Sequence, residues 1–370
     1  MDKSPLIYLI AGEPSGDALG ANLMRALDTR YQGRVRFAGI GGDKMTGQGL
    51  RSLFPMSELS IMGIAEVIPK IPHMLKRISL TVQDIQEKRP DMVITIDSPD
   101  FSFRVARALK KAGSSIPRVH YVAPSVWAWR AGRAKKIADI YNGLLCFFEF
   151  EVPYFERHGL RTKAIGHPVI ESGVMAAQGF GFKQRYHIER PTLGVFFGSR
   201  AGEIERLSPV LIEVMQRFRD ECAFIIPTLP HLQEHLEVLT SSFRPHVHVV
   251  SNPAEKWQAF KACDKAVAVS GTVGLELAVA GVPHVIAYRM NPLTWVILQR
   301  VSRVKHAHLV NILKGKTVIP EFLQDHCTAD EIERGLRSLT PHVPQADITH
   351  ELGTHPSDKA AEFIEQMIPI

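Results

Sequence analysis

The chain has 370 residues, 45% of them hydrophobic and 22% charged, with a formal net charge of +6. That is enough apolar material for two buried cores and excludes a disordered or low-complexity chain. No apolar run approaches the roughly 18 residues a membrane span needs. Without basic runs interleaved with aromatics, the positive charge suits phosphates or an anionic membrane and not nucleic acid.

The apolar run Leu6–Ile10 enters the stretch AGEPSGDALG at Ala11–Gly20. This reads as a core strand, not a signal peptide, followed by a glycine-rich turn and a helix from about Ala18. Gly12, Gly16 and Gly20 let the backbone approach a ligand or a neighbouring strand. Glu13, Ser15 and Asp17 place polar groups at the strand's carboxyl end, where open α/β sheets bind ligands. The spacing matches neither the dinucleotide GxGxxG nor the P-loop, so neither NAD nor ATP is implied and no cofactor is expected. Acidic side chains here suit sugar hydroxyls or acid/base work. The other reading is a plain tight strand–helix turn.

Strands are predicted at Ile7–Ala11, Val35–Ile40, Met92–Asp97, Arg118–Val122 and Leu144–Phe148. A second series covers Leu193–Phe197, Ala223–Pro227, Val247–Val250, Ala266–Val269 and His284–Tyr288. Helical patterns alternate with them, which implies α/β architecture with parallel sheets covered on both faces. A polar break at Ile165–Pro191 divides the series. The expectation is two doubly wound, Rossmann-like domains facing across a cleft, at 1–168 and 190–345. A tail at 346–370 either ends free or returns to the first domain. Cys146, Cys222, Cys263 and Cys327 show no pairing or CxxC spacing, as suits a reducing cytosol.

Asp97 ends the strand MVITI, beside the Ala11–Gly20 loop. A carboxylate partly desolvated there can act as a general base. Alternatively, Asp97 or Asp100 caps a helix starting near Phe101. The following loop, YVAPSVWAWR at Tyr121–Arg130, spends Trp127 and Trp129 either on a sugar face or on packing.

In the second half, Phe197-Gly198-Ser199-Arg200 joins a strand to the helix AGEIERL, and Ser270–Glu276 (SGTVGLE) joins another strand to a helix. The amides of Gly271, Thr272 and Val273 can hold a diphosphate at the helix start. Glu276, one turn in, can bond both ribose hydroxyls, and Arg200 can neutralise a leaving diphosphate. Together they point to a nucleotide-sugar site without metal. His231-Leu232-Gln233-Glu234-His235 matches a metalloprotease HxxEH pattern. No distinct third ligand accompanies it, so no metal is assigned.

In order along residues 6–327, the chain shows AGEPSGDALGANLMRAL, MGIAEV, IDSPDF, HYVAPSVWAWR, IGHP, GSRAGEI, SGTVGLE, YRMNPLT, LVNILKG and PEFLQDHC. In these it resembles the lipid-A-disaccharide synthases, membrane-surface glycosyltransferases of the two-domain GT-B architecture. The resemblance implies a UDP-2,3-diacylglucosamine donor and a 2,3-diacylglucosamine 1-phosphate acceptor. The implied products are the β(1→6) disaccharide 1-phosphate, with inversion, and UDP. It implies Asp97 as the base; Arg200, Ser270, Gly271, Thr272, Glu276, Asn311 and Gln324 around UDP; and Glu13, Ser15 and Asp17 on the acceptor side. It also implies work on the cytoplasmic face of the inner membrane of a Gram-negative bacterium, and it admits a homodimer. FFGSR and FEFE stand where the family has LPGSR and LPFE, and beyond Asp347 the match is weak.

Substrates of this kind require a way onto the membrane. Ile61–Ile78 offers one, with Ile68, Ile71, Met74 and Leu75 interleaved with Lys70, Lys76 and Arg77. Pro69 and Pro72 predict a loop and then a helix from near Pro72. An amphipathic core helix is the competing reading.

Overall fold

The computed structural model describes residues 4–59, 64–128, 131–291, 295, 306–340 and 345–368, without the side chains of 64–71 and 345–347. Two compact units emerge. The first comprises Met1–Pro168 with Leu352–Ile370, and the second Val169–Glu351.

In the first unit, β1 (Leu6–Ala11), β2 (Arg36–Ile40), β3 (Met92–Ile96), β4 (Arg118–Tyr121), β5 (Gly143–Cys146) and β6 (Arg161–Ala164) form one parallel sheet. Their order is β2-β1-β3-β4-β5-β6. The central strands are aliphatic runs buried along their length, as helices on both faces require. β6 was not anticipated. Its sequence RTKA alternates exposed and buried, which suits an edge but gives no apolar run.

The second unit repeats the plan with β7 (Thr192–Phe196), β8 (Ala223–Pro227), β9 (Val247–Val250), β10 (Lys265–Ala268), β11 (His284–Tyr288) and β12 (Glu321–Leu323). The order is β12-β11-β10-β7-β8-β9, again parallel. The half-buried edge strand β12 also escaped the sequence reading.

In each sheet the order reverses once, between β1 and β3 and between β10 and β7. At such a switch point the loops leave on opposite faces and open a crevice at the carboxyl ends of the strands. Registers Ala11↔Ile96 and Ala268↔Phe196 place the following residues, Gly12 with Asp97 and Val269 with Phe197, at those two crevices.

Three local expectations are corrected. The helix after β1 begins at Pro14, not Ala18. Proline is pre-set for the first helical turn, where its missing amide costs nothing. The helix Ile64–Lys88 runs through Pro69 and Pro72. Each proline removes one amide from the ladder, and the turns beyond, anchored by buried Ile78, Thr81 and Ile85, carry the helix on. Asp97 does not cap the helix Pro99–Lys111. Its N-cap is Ser98, with no side-chain capping bond, and Asp100 is exposed.

The helix Pro356–Glu365 completes the first unit. Ala360, Ala361, Phe363 and Ile364 enter the core beside Leu23, Met24 and Leu27 of the helix Pro14–Arg30. Arg30 and Glu365 pair at 2.6 Å across the same contact. Among the described residues no helix is long and apolar enough to cross a membrane.

Candidate active site

At the switch point of the first unit, Asp97 and Ser98 both adopt left-handed backbone, with φ of 51° and 44°. Two consecutive non-glycine residues there cost on the order of 1 kcal/mol each, a strain that collects at functional sites. Surrounding bonds enforce it. The Asp97 amide donates to the Tyr121 carbonyl at 2.9 Å, and Ser102 Oγ donates to the Asp97 carbonyl at 2.7 Å. Gly12 is required opposite, because a Cβ there would fall 2.6 Å from Ser98 Oγ. Ser98 Oγ is buried and, among the described residues, has no hydrogen-bond partner. Burial raises the Asp97 carboxyl above its ordinary range, and a hydrogen bond from the Ser98 backbone opposes this only in part. The result is a strengthened base at a strand end.

The three acidic-loop candidates separate. Glu13 and Ser15 are exposed at the start of the Pro14–Arg30 helix. Asp17 is 4% exposed and faces inward. Its carboxylate accepts the amides of Gly42, Lys44 and Met45 at 2.8, 3.0 and 3.1 Å, securing the short Asp43–Thr46 helix. In this structure Asp17 thus serves the backbone of the turn after β2.

Trp127 is also tied down. Its Nε1 donates to Glu151 Oε1 at 3.1 Å, and Glu151 Oε2 accepts the Phe147 and Phe148 amides. Burial pushes the Glu151 carboxyl up to about 7. Trp129 and Arg130 lie outside the described residues.

The second unit's switch point opens a cavity of about 380 Å³. Arg200, Ser270, Gly271, Thr272 and Glu276 all line it. Arg200 reaches outward, its side chain 78% exposed, and pairs with buried Glu203 at 3.0 Å. Gly198 (φ 101°) and Gly271 (φ 149°) turn the chain sharply into the two helices that follow. The helix Thr272–Ala280 has no side-chain cap, so its leading amides are open to an anion. Ser270 donates instead to the Ala307 carbonyl at 3.1 Å.

Asn311 and Gln324 do not line this cavity. Asn311 is fully buried. Its Oδ1 accepts the Val318 and Ile319 amides, and its Nδ2 donates to the Ile319 carbonyl and to Glu321. Gln324 accepts the Met290 amide at 2.7 Å. Asn311 holds the backbone ahead of β12 and Gln324 that beyond β11, and the donors and acceptors of the Asn311 amide are all engaged.

Residues the sequence reading missed come from the loops after β8 and β9. Thr228, Asn252 and Lys256 line the cavity, and Thr228 Oγ1 is buried with no hydrogen-bond partner among the described residues. The switch-point rule points to these strand ends, but no motif marks their side chains. His231 and His235 are exposed on different elements, a single 3₁₀ turn and the helix Gln233–Leu239.

The profile of the lipid-A-disaccharide synthetase family matches residues 7–363. The chain is 42% identical over 382 aligned positions to the lipid-A-disaccharide synthase of Rhodospirillum centenum, covering 99% of this chain and 95% of that protein. Among solved structures, the glycotransferase of kitacinnamycin superposes with a TM-score of 0.66 at 15% identity, over 99% of each chain. Methanocaldococcus jannaschii UDP-GlcNAc 2-epimerase, solved with UDP-GlcNAc and UDP, gives 0.63 at 11% identity, over 98% of this chain and 99% of that one. Identities that low speak for the fold alone, and the near relative speaks for the family. The chain belongs to the lipid-A-disaccharide synthase family, glycosyltransferases built on the GT-B fold.

Proposed function

We propose that the chain transfers a 2,3-diacylglucosaminyl group from UDP to the 6-hydroxyl of 2,3-diacylglucosamine 1-phosphate. The observation that carries the UDP half is the switch-point cavity gathering Arg200, the leading amides of the Thr272–Ala280 helix and Glu276. The acceptor oxygen attacks the anomeric carbon of the donor as its proton passes to the Asp97 carboxylate. The bond from that carbon to the β-phosphate oxygen breaks, and its electron pair leaves with UDP. Attack opposite the leaving group inverts the anomeric centre and gives the β(1→6) linkage. Arg200 and the helix amides meet the charge that develops on the diphosphate.

Ile64–Lys88 is the proposed route to the cytoplasmic face of the inner membrane. Leu75 is 51% exposed, with Met74 half-buried and Lys76 exposed beside it. An apolar group among cations is what an anionic surface recruits. Ile68 and Ile71 belong to the same helix, and their side chains lie outside the described residues. Changing Ile68, Ile71, Met74 and Leu75 to Ser should abolish sedimentation with anionic liposomes. Undiminished sedimentation would place docking elsewhere.

The reaction is tested by mass spectrometry of the product from purified protein, the UDP-diacylglucosamine donor and the acceptor in detergent. A disaccharide 1-phosphate formed with stoichiometric UDP supports the proposal. A UDP-sugar of unchanged mass and altered configuration supports an epimerase instead.

A further inference from the structure

Lys256 opens the helix Lys256–Lys261 after β9, and its Nζ donates to Glu276 Oε1 at 2.8 Å. Glu276 belongs to a different element, the helix after β10, and the two meet at the wall of the cavity. Lys256 is itself held in place. Its ammonium lies 4.3 Å from the Trp257 ring centroid and 5.5 Å from that of Phe260. The Glu276 side chain is only 17% exposed, and among the described residues its Oε2 has no hydrogen-bond partner. The other cation of the cavity wall, Arg200, is engaged with Glu203. One oxygen of Glu276 is thus fixed by a cation, and the other is left for a ligand.

We propose that Lys256 is a positioning residue that holds Glu276 in the rotamer from which its other oxygen accepts the ribose 2′-hydroxyl of a nucleoside diphosphate. This rests on the reading of the cavity as a UDP site. Without the ammonium, a half-buried carboxylate gains by turning toward water, and the ribose loses its acceptor. Lys256 then acts on sugar selectivity and not on the diphosphate. A site built to bond a hydroxyl discriminates against the ligand lacking it, whereas a disordered one does not.

The test is titration calorimetry of the full chain with UDP and with 2′-deoxy-UDP, on wild type, Lys256→Met and Lys256→Arg. Wild type is expected to favour UDP by about 10-fold or more, the worth of one hydrogen bond to a charged group. Lys256→Met should weaken UDP by about that factor and leave 2′-deoxy-UDP within about two-fold, so that the preference collapses. Lys256→Arg, which keeps a cation toward Glu276, should retain it. If Lys256→Met weakens both nucleotides equally, Lys256 is a phosphate contact and the proposal falls. It falls also if neither affinity changes, or if wild type binds both nucleotides alike. Failure of wild type to bind UDP at all overturns the nucleotide reading itself. Should Lys256→Met lose its cooperative melt, Lys256→Gln gives the same comparison.

Discussion

His284 and His308 meet Nε2 to Nε2 at 3.0 Å inside the second unit. The surrounding bonds assign both tautomers. His284 donates from Nδ1 to the Val282 carbonyl at 2.8 Å, so its Nε2 carries the lone pair. His308 accepts the Val310 amide at Nδ1 and donates from Nε2. The pair holds only while both rings are neutral. Burial pushes His284 down to about 4 and His308 to about 3.

The unfolded chain therefore binds protons that the folded unit refuses. Stability contributed by these rings is complete above the unfolded value of about 6.5 and is lost as pH falls below it. The urea midpoint should drop progressively from pH 7 toward pH 4. The fall should be shallower in His284→Gln, which removes one of the titrating rings. Equal slopes in the two proteins would refute the assignment.

Gly274 carries the helix at the cavity wall past this pair. A Cβ at Gly274 would fall 2.6 Å from His308 Nε2. Alanine gains about 1 kcal/mol in a helix interior. Overpacking against a ring fixed at both nitrogens costs about 1–3 kcal/mol, so the clash wins. Gly274→Ala is expected to melt lower and to bind UDP about 10-fold more weakly, because the helix that begins at Thr272 is displaced. Differential scanning fluorimetry and calorimetry read the two effects.

Asp97→Asn separates catalysis from stability. Asparagine tolerates the left-handed backbone as aspartate does, while alanine adds strain. Loss of the base should lower turnover by about 100-fold or more with UDP affinity unchanged. Because burial raises the carboxyl in the fold, the ionised form costs stability at neutral pH. Asp97→Asn should melt above wild type there. In wild type the acid limb of kcat/KM should lie above the ordinary carboxylate range. Turnover near wild type in the variant would remove Asp97 from the chemistry.

Asp17→Asn places an amide donor against the backbone donors of the Gly42–Met45 turn. A buried unpaired donor costs about 1–3 kcal/mol. The melting temperature of the variant should fall accordingly, as circular dichroism would show. An unchanged melt would mean that the Lys44 amide, the one that faces the new NH2, finds another acceptor.

The central strands and both switch-point loops were legible because buried parallel strands are written as apolar runs and the turns after them as glycines with polar neighbours. The edge strands β6 and β12 were not, since a strand covered on one side needs no such run. Asp17, Asn311 and Gln324 bond backbone amides that the sequence did not reveal, for one shared reason. A polar side chain in a recognised motif looks the same whether it faces a ligand or a distant backbone amide. Its partners at Gly42, Val318 or Met290 are set by tertiary packing alone. Lys256 was invisible for the converse reason: it meets Glu276 across helices, and a lone lysine outside any motif gives no signal.

Because Val169–Glu351 is inserted between two pieces of the first unit, the order of synthesis and the order of assembly cannot coincide. A nascent chain exposes the groove meant for Phe363 and Ile364 throughout translation of the inserted unit, which carries its own core and can fold before release. The unit made first is the one finished last, because its closing helix is synthesised only after the inserted unit.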